Sequence, residues 1–268
     1  MGQAQILRNK STLSLKRQLK NMAHLIGYDI VRHNPNPVQL DYPPDFEPHH
    51  ISIIKKVQPY TLTSQERLFG LIEAVHHVTR QNIPGSIVEC GVWRGGSMMA
   101  AALSLMHWNC PDRDLYLFDT FEGMPRPTVE DVHHTGTPAM VAFEKLQTGE
   151  DSSEECASPL SEVQSNMSST GYDPKLIHYI QGKVEDTIPS QSPQKIALLR
   201  LDTDWYASTK HELEHLYPLL SPHGVLIIDD YGDWQGARKA TDEYIASHAP
   251  SLFLNRIDYT GRVALKIV

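Results

Sequence analysis

Two apolar segments of this chain each run directly into a pair of aspartates, and this pattern restricts the fold more than any other feature. One segment ends in Asp202 and Asp204, and the other ends in Asp229 and Asp230. Continuous stretches of Val, Ile and Leu are typical of strands buried on both faces of a parallel sheet. In open α/β sheets, ligands bind outside the carboxyl ends of the strands. The four carboxylates are therefore expected at one functional edge, where oxygen ligands favour a hard divalent cation.

Apolar segments and amphipathic segments alternate along most of the chain, and this alternation predicts the fold class. We expect strands at 86–92, 114–120, 176–182, 196–202 and 225–230, and helices at 65–82, 95–107, 159–170, 205–220 and 235–248. Ser64 is the expected N-cap of the first of these helices. Two further strands, near 252–258 and 262–268, are expected to form a C-terminal hairpin. The pattern predicts an α/β fold with a doubly wound, mostly parallel sheet.

The first 60 residues differ from the alternating part and are expected to form an N-terminal helical extension or lid. Residues 1–30 place Leu and Met at helical spacing with Lys and Arg between them, which predicts a basic amphipathic helix. We expect this helix to pack or to mediate homo-oligomerisation, with a membrane-surface helix as the alternative. Five prolines within residues 34–48 predict a loop or an extended lid. A catalytic domain is expected at 61–268, with a long polar insertion near 125–158.

Composition and charge argue against several functional classes. The formal net charge of −8 disfavours nucleic acid as the main partner. No apolar segment approaches about 20 residues, so no stable membrane insertion is expected. The N-terminus lacks the apolar core of a secretion signal, and the three cysteines make no plausible disulfide framework. We therefore expect a cytoplasmic protein.

A glycine-bearing turn after the first strand predicts a nucleotide site. Gly91 would let the backbone approach a ligand, and Gly95 would help to open the following helix. The spacing Gly-x-x-x-Gly-Gly is not the dinucleotide fingerprint, and a plain tight turn is the alternative. Asp119 ends the second strand, where an acid can accept hydrogen bonds from ribose hydroxyls. Glu89 is an acid inside an apolar strand, so it needs a partner such as a ligand hydroxyl or ammonium group.

The end of the third strand offers a surface for a nucleobase. Gly182 and Val184 could form a flat, partly apolar wall for an adenine. The alternative is a strand exit that merely contains a glycine.

Several motifs, in the right order, resemble the macrocin O-methyltransferase family. They are Val88–Ser97, Phe118–Pro125, Gly182–Pro189, Leu201–Thr209 and Ile228–Gly232. The resemblance covers the chain from about Tyr60 to Tyr244. It implies a Rossmann-like sheet of seven strands with an N-terminal helical cap. It also implies an S-adenosylmethionine-dependent enzyme that uses Mg²⁺ or Mn²⁺ to methylate a hydroxyl, usually of a sugar, on a small natural product such as an antibiotic.

The resemblance also implies roles for single residues. Thr63 would reach the methionine carboxylate of the cofactor, and Val184 would border its adenine. The implied cofactor-binding residues are Thr63, Glu89, Gly91, Ser97, Asp119, Gly182 and Val184. The segments 1–60 and 125–158 depart from the family pattern. Such regions cover the acceptor in related enzymes, so we expect 125–158 to do so here.

The aspartates divide into cation ligands and a catalytic base by the same resemblance. Asp202, Asp229 and Asp230 would hold the cation, and Asp204 would take the proton of the acceptor hydroxyl. The alternative for Asp204 is a helix N-cap ahead of Trp205. These motifs offer no Cys or His ligand at this edge, so zinc is expected to be a poor substitute for magnesium.

One competing motif and two competing functions need weighing. His211 and His215 match the zinc-protease spacing, but they are expected on the solvent side of a helix, opposite its apolar stripe. An NAD(P)-dependent oxidoreductase is disfavoured by the glycine spacing. A non-catalytic cofactor-binding protein would not need the four aspartates. His133 and His134 are expected at the surface, with a place in an acceptor pocket as the alternative.

Overall fold

A mostly parallel sheet of seven strands forms the centre of the computed structural model, which describes residues 42–267. The strands of the chain are β1 (Ser86–Cys90), β2 (Leu115–Asp119), β3 (Gln147–Gly149), β4 (Ser152–Ser153), β5 (Ile177–Gln181), β6 (Ile196–Leu201), β7 (Leu220–Ile228), β8 (Asn255–Arg256) and β9 (Arg262–Leu265). The sheet order is β5-β2-β1-β6-β7-β9-β8, and β3 pairs with β4 separately. The first five strands in this order, β5, β2, β1, β6 and β7, are parallel. Strand β9 is antiparallel to both β7 and β8. The predicted fold class is confirmed.

Helices precede the first strand and connect the others. They are α1 (Pro48–Val57), α2 (Gln65–Arg80), α3 (Gly96–His107), α4 (Met140–Leu146), α5 (Leu160–Ser168), α6 (Val184–Thr187), α7 (Tyr206–Leu216) and α8 (Gln235–His248). The Ser64 side chain accepts a hydrogen bond from the Arg67 amide, which confirms the predicted cap of α2. Among residues 42–267, no helix is long and apolar enough to cross a membrane.

The predicted N-terminal extension is described from residue 42 onward. Residues Pro44–Val268 form one compact unit, in which α1 contacts α2 and α3. Pro48, at the end of the predicted proline-rich loop, begins α1, because proline at the first helical position leaves no hydrogen bond unmade. The predicted basic helix in residues 1–30, and its proposed role in oligomerisation, lie outside the described residues.

Several predicted boundaries differ from the structure. The helix expected at 205–220 ends at Leu216 and continues as a single 3-10 turn, Tyr217–Leu219, because Pro218 has no N–H to donate. Strand β7 starts at Leu220 instead of 225, since Leu220 pairs with Ile196 before an irregularity in the register. The hairpin strands β8 and β9 are shorter than expected.

The two central strands, β1 and β6, bury apolar side chains on one face of the sheet and charged side chains on the other. Val88 of β1 and Leu199 of β6 join the apolar core that includes Leu213 of α7. Side chains alternate along a strand, so Glu89 and Arg200 point to the opposite face. The parallel register places Glu89 next to Arg200, and both side chains are almost fully buried.

Gly91 is required by the neighbouring strand. Its φ is +82°, and a Cβ atom there would lie 1.9 Å from the Asp202 carbonyl oxygen. The close approach that the sequence suggested for a ligand is therefore made by the protein's own backbone. Gly136 also has a positive φ, +91°, but a Cβ atom there would meet nothing within 4 Å.

This contrast gives a matched pair of substitutions. Gly136→Ala should lower the free energy of unfolding by about 1–2 kcal/mol, the cost of a left-handed backbone with a side chain. Gly91→Ala carries that cost and a steric clash, which adds roughly 1–3 kcal/mol or more. Urea unfolding of both variants measures the difference. Equal stabilities would show that the approach of Asp202 to Gly91 is not tight.

Candidate active site

One cavity of about 290 Å³ opens at the carboxyl ends of the parallel strands. It brings together all of the predicted site residues except Glu89, namely Thr63, Gly91, Ser97, Asp119, Gly182, Val184, Asp202, Asp204, Asp229 and Asp230. Residues that are far apart in sequence therefore meet at the edge where an α/β sheet binds its ligands.

Arg200 connects the acidic side chains at the base of this cavity. Its Nη1 donates to Glu89 Oε1 at 2.5 Å and to Asp202 Oδ2 at 2.7 Å. Its Nη2 donates to Asp229 Oδ1 at 2.6 Å and to Thr63 Oγ1 at 2.9 Å. The Arg200 side chain is 4% exposed. Because buried charges are tolerated only when they are paired, each of these groups depends on the others for its position.

Glu89 is buried and is not among the residues that line the cavity. The sequence suggested that a ligand group would pair with Glu89. In the structure, the Arg200 guanidinium pairs with its Oε1. Its Oε2 is buried and accepts no hydrogen bond from the described residues. A direct contact between Glu89 and a cofactor therefore stays a prediction, whereas its contact with Arg200 is part of the structure.

A second cation supports the same group. Arg67 of α2 donates to Asp229 Oδ2 and forms an ion pair with Asp258 at 3.0 Å. Ser64 Oγ donates to the same Asp258 carboxylate at 2.6 Å. The start of α2 is thereby fixed against Asp229 and against the C-terminal turn.

Three carboxylates have the arrangement that a cation site needs. Asp202, Asp229 and Asp230 each offer an oxygen within 4.8 Å of the others. Burial raises the pKa of Asp202 to about 6 and that of Asp230 well above its usual range, and the neighbouring carboxylates add to the effect at Asp230. Arg200 and Arg67 offset part of this negative charge, and the crowding disfavours full ionisation unless more positive charge is supplied. An all-oxygen set with excess negative charge fits Mg²⁺ or Mn²⁺.

Asp204 lies beside this group in an uncommon backbone conformation. Its φ is +65°, and its amide donates to Asp230 Oδ2 at 3.2 Å. Burial and the charge of Asp202 raise the pKa of Asp204 to about 8. Helix α7 begins at Tyr206 without any side-chain bond from its N-cap Trp205. Asp204 is therefore not the cap of α7.

The cap of α7 comes from the 125–158 segment. Asp131 Oδ1 accepts the Tyr206 amide at 2.7 Å, and its Oδ2 accepts from Thr128. Asp131 is buried. Trp205 Nε1 also donates to the Pro125 carbonyl at 3.0 Å. The polar segment thus holds the start of α7 in place, next to Asp204.

Asp119 organises the glycine turn on the other side of the cavity. Its Oδ2 accepts the amides of Val92 at 2.6 Å and Trp93 at 3.0 Å, and its Oδ1 accepts that of Phe121 at 2.7 Å. Thr120 Oγ1 also lies 3.4 Å from Oδ1, but its proton has a closer acceptor in the Gly123 carbonyl at 2.7 Å. Because a carboxylate has about four acceptor positions, Asp119 can hold this turn and still accept from a ligand hydroxyl.

The comparisons with known proteins agree with this geometry. The family model Macrocin-O-methyltransferase (TylF) matches residues 16–265. Mycinamicin III 3''-O-methyltransferase of Micromonospora griseorubida is 33% identical over 202 residues, which are 75% of this chain and 76% of that protein. The 8-demethyl-8-(2,3-dimethoxy-alpha-L-rhamnosyl)-tetracenomycin-C 4'-O-methyltransferase of Streptomyces olivaceus is 32% identical over 221 residues, 82% of this chain and 81% of that protein. The structure of the O-methyltransferase NovP is 28% identical, with a TM-score of 0.69 over 78% of this chain and 83% of that one.

The chain belongs to the macrocin O-methyltransferase family. It is an enzyme, an S-adenosylmethionine-dependent O-methyltransferase. Membership in this family rules out the oxidoreductase and the non-catalytic protein that composition and motifs had left open.

The two histidines of the zinc-protease motif contact backbone carbonyl groups. His211 Nε2 lies 3.0 Å from the Ile188 carbonyl, and His215 Nδ1 lies 2.8 Å from the His211 carbonyl. Both rings are half-buried, and neither lines the active-site cavity. The cavity edge is also not free of sulfur, because Cys156 lines it.

Glu212, between these histidines, is a buried acid that the sequence reading overlooked. Its Oε1 accepts from Thr203 Oγ1 at 2.9 Å, and the buried Cys90 thiol interacts with the same carboxyl group. Thr203 lies between Asp202 and Asp204, so the hydrogen bond to Glu212 helps to fix the turn that carries both aspartates. Burial raises the pKa of Glu212 to about 8.

This pKa predicts a pH dependence of stability. The folded chain holds the Glu212 proton more tightly than the unfolded chain, whose carboxyl has its ordinary value of 4.5. The contribution of Glu212 is therefore complete below that value and is lost as the pH rises towards 8. Relative to wild type, Glu212→Gln should gain up to roughly 1.4 kcal/mol of unfolding free energy per pH unit across this range. Urea unfolding at several pH values would show it, and parallel curves for the two proteins would mean that Glu212 is ionised in the fold.

Proposed function

We propose that this enzyme transfers a methyl group from S-adenosylmethionine to a sugar hydroxyl of a small natural product, with Mg²⁺ or Mn²⁺ bound by Asp202, Asp229 and Asp230. The observation that carries the proposal is a single cavity in which the glycine turn adjoins the carboxylate group. The names of relatives support the acceptor class, since one of them specifies a rhamnosyl tetracenomycin.

The residues present fit the cofactor. Ser97, in the first turn of α3, lines the cavity where a helix N-terminus favours a carboxylate. Thr63 Oγ1 accepts from Arg200, so its own proton is free to be donated to the same carboxylate. Gly182 and Val184 line the cavity together and supply the apolar wall proposed for adenine. S-adenosylmethionine supplies an activated methyl group when it is bound.

The catalytic work of the protein is to align the acceptor and to remove its proton. A dication at the three aspartates would supply the positive charge that lowers the pKa of an acceptor hydroxyl. Asp204 is proposed to accept that proton at its carboxylate, because it borders the cavity and does not cap α7. Holding the acceptor oxygen in line with the methyl group contributes much of the remaining rate. The 125–158 segment is proposed to cover the acceptor.

Asp119 tests the cofactor side. Asp119→Ala should weaken S-adenosylmethionine binding by about 1.5–3 kcal/mol through the loss of charged hydrogen bonds to ribose. Titration calorimetry measures the affinity. Because Asp119 also holds the glycine turn, thermal unfolding and the milder Asp119→Asn variant serve as controls. Wild-type affinity in a folded variant would remove Asp119 from the cofactor site.

Metal removal tests the carboxylate group. Excess chelator should abolish turnover, and Mg²⁺ or Mn²⁺ should restore it, since the three aspartates offer only oxygen. Zn²⁺ should restore it poorly. Methyl transfer to an acceptor panel, followed with labelled cofactor, is the readout. Full activity with confirmed absence of metal would refute the proposed cation role, although methyl transfer itself would stand.

Asp204→Asn separates the base from the ligands. The amide is nearly isosteric with the acid but cannot take a proton, so turnover should fall by roughly 10²–10⁴. Cation and cofactor affinities should stay at wild-type values, which calorimetry verifies. Single-turnover methyl transfer at saturating Mg²⁺ decides the matter. A rate within about threefold of wild type, far short of that catalytic range, would exclude Asp204 as the base.

A further inference from the structure

A second group of potential cation ligands lies outside the three aspartates. His133 and His134 belong to the 125–158 segment, and Asp233 follows β7. Asp233 Oδ1 lies 3.3 Å from His133 Nε2 and 2.9 Å from His134 Nδ1. The two imidazole rings have their centroids 4.1 Å apart. Asp233 also lines the active-site cavity, so this group adjoins the site without belonging to the proposed magnesium ligands.

One of the distances matches that of a tetrahedral site, and the other is a few tenths of an ångström shorter. Bonds of about 2.0–2.2 Å from Zn²⁺ to nitrogen and oxygen place neighbouring ligand atoms roughly 3.3–3.5 Å apart. One observed separation is 3.3 Å and the other is 2.9 Å, and one ligand atom from each residue lies within 4.8 Å of the others. Small side-chain rotations would therefore complete the geometry.

His133 contacts Thr135 through Nδ1, which leaves Nε2 on the side of Asp233 where a metal would bind. Its Nδ1 lies 2.7 Å from Thr135 Oγ1, a hydroxyl that can accept from it. The Thr135 amide also contacts this Nδ1, as a weaker donor at 3.4 Å. In the tautomer with its proton on Nδ1, His133 turns the lone pair of Nε2 towards the Asp233 carboxylate, 3.3 Å away. A metal would bind this tautomer, and ligating histidines commonly have such an outer hydrogen bond.

A second cluster, formed by His49, His50 and Glu73, does not leave such a nitrogen for a metal. His50 Nδ1 accepts the Glu47 amide at 3.0 Å, so the proton must lie on Nε2. That nitrogen lies 2.9 Å from Glu73 Oε1, to which it donates. Both ring nitrogens of His50 are therefore in use, one by the Glu47 amide and one by Glu73, whereas at the first group a metal would replace only the proton shared by His134 and Asp233.

The first group lies where the 125–158 segment meets the sheet. The backbone of His133 forms a bridge with Trp234, and the His134 amide donates to the Asp233 carbonyl at 2.7 Å. Trp234 packs edge-on against Trp205, with the ring centroids 4.9 Å apart. A cation at this point would join the segment to the turn that follows Asp229 and Asp230.

We propose that His133, His134 and Asp233 bind a divalent cation of the zinc type and thereby clamp the 125–158 segment to the edge of the active-site cavity. Two imidazoles and one carboxylate are a ligand set that suits Zn²⁺ far better than Mg²⁺. Water would take the fourth position. This inference does not depend on the proposed methyl acceptor or on the role of Asp204.

The test uses the full chain without an affinity tag, stripped of metal and saturated with Mg²⁺ to occupy the oxygen site. Zn²⁺ is titrated by calorimetry, and Co²⁺ absorption reports tetrahedral coordination. His134→Ala and Asp233→Asn should each weaken Zn²⁺ binding by more than about 100-fold, beyond the roughly 10–100-fold effect of an outer-shell change. His248→Ala, on a different surface, should bind as wild type does.

A second readout tests the clamp directly. Zn²⁺ should slow amide hydrogen exchange across residues 128–139 in wild type and in His248→Ala, but not in His134→Ala. Two results would overturn the proposal. One is a wild-type Kd for Zn²⁺ weaker than about 1 mM, which would leave the cluster as proton-mediated pairs. The other is binding that survives in His134→Ala and is lost in His50→Gln.

Discussion

The functional edge of this protein depends on the ion pairs and hydrogen bonds of the buried Arg200 guanidinium. It extends from the middle of the sheet and donates to Glu89, Asp202, Asp229 and Thr63. Removing one partner of a buried ion pair typically costs about 3–5 kcal/mol, because the other charge is left uncompensated. The cluster therefore fixes two of the proposed cation ligands while it holds β1 to β6. Stability and function share the same atoms here.

The 125–158 segment completes the site from outside the sheet. Asp131 caps α7 next to the proposed base, and Pro125 accepts from the Trp205 indole. At the other side of the cavity, Asp151 forms an ion pair with Lys183, which lines the cavity beside Val184. The segment thus contacts both the proposed base side and the proposed adenine side of the cavity.

Periodicity and composition predicted the sheet, and strand-end aspartates predicted the carboxylate group, because both are local in sequence. The pairing of Glu89 with Arg200 depends on a register between strands that are over 100 residues apart, which no local pattern contains. A usable signal existed, since an acid and a base each interrupt an apolar strand and each requires a partner. The Asp131 cap had no such signal, because the amide that it accepts from, that of Tyr206, lies 75 residues further along the chain.

The central claim is that the three aspartates hold a dication beside the cofactor while Arg200 holds two of them, Asp202 and Asp229, in place. Anomalous diffraction from crystals grown with Mn²⁺ and S-adenosylhomocysteine tests it directly. The account predicts one peak at about 2.1 Å from oxygens of Asp202, Asp229 and Asp230, the distance of octahedral oxygen ligation, with Arg200 still bonded to Glu89. No peak between these residues, or Arg200 released from Glu89 when the ion is bound, would contradict it.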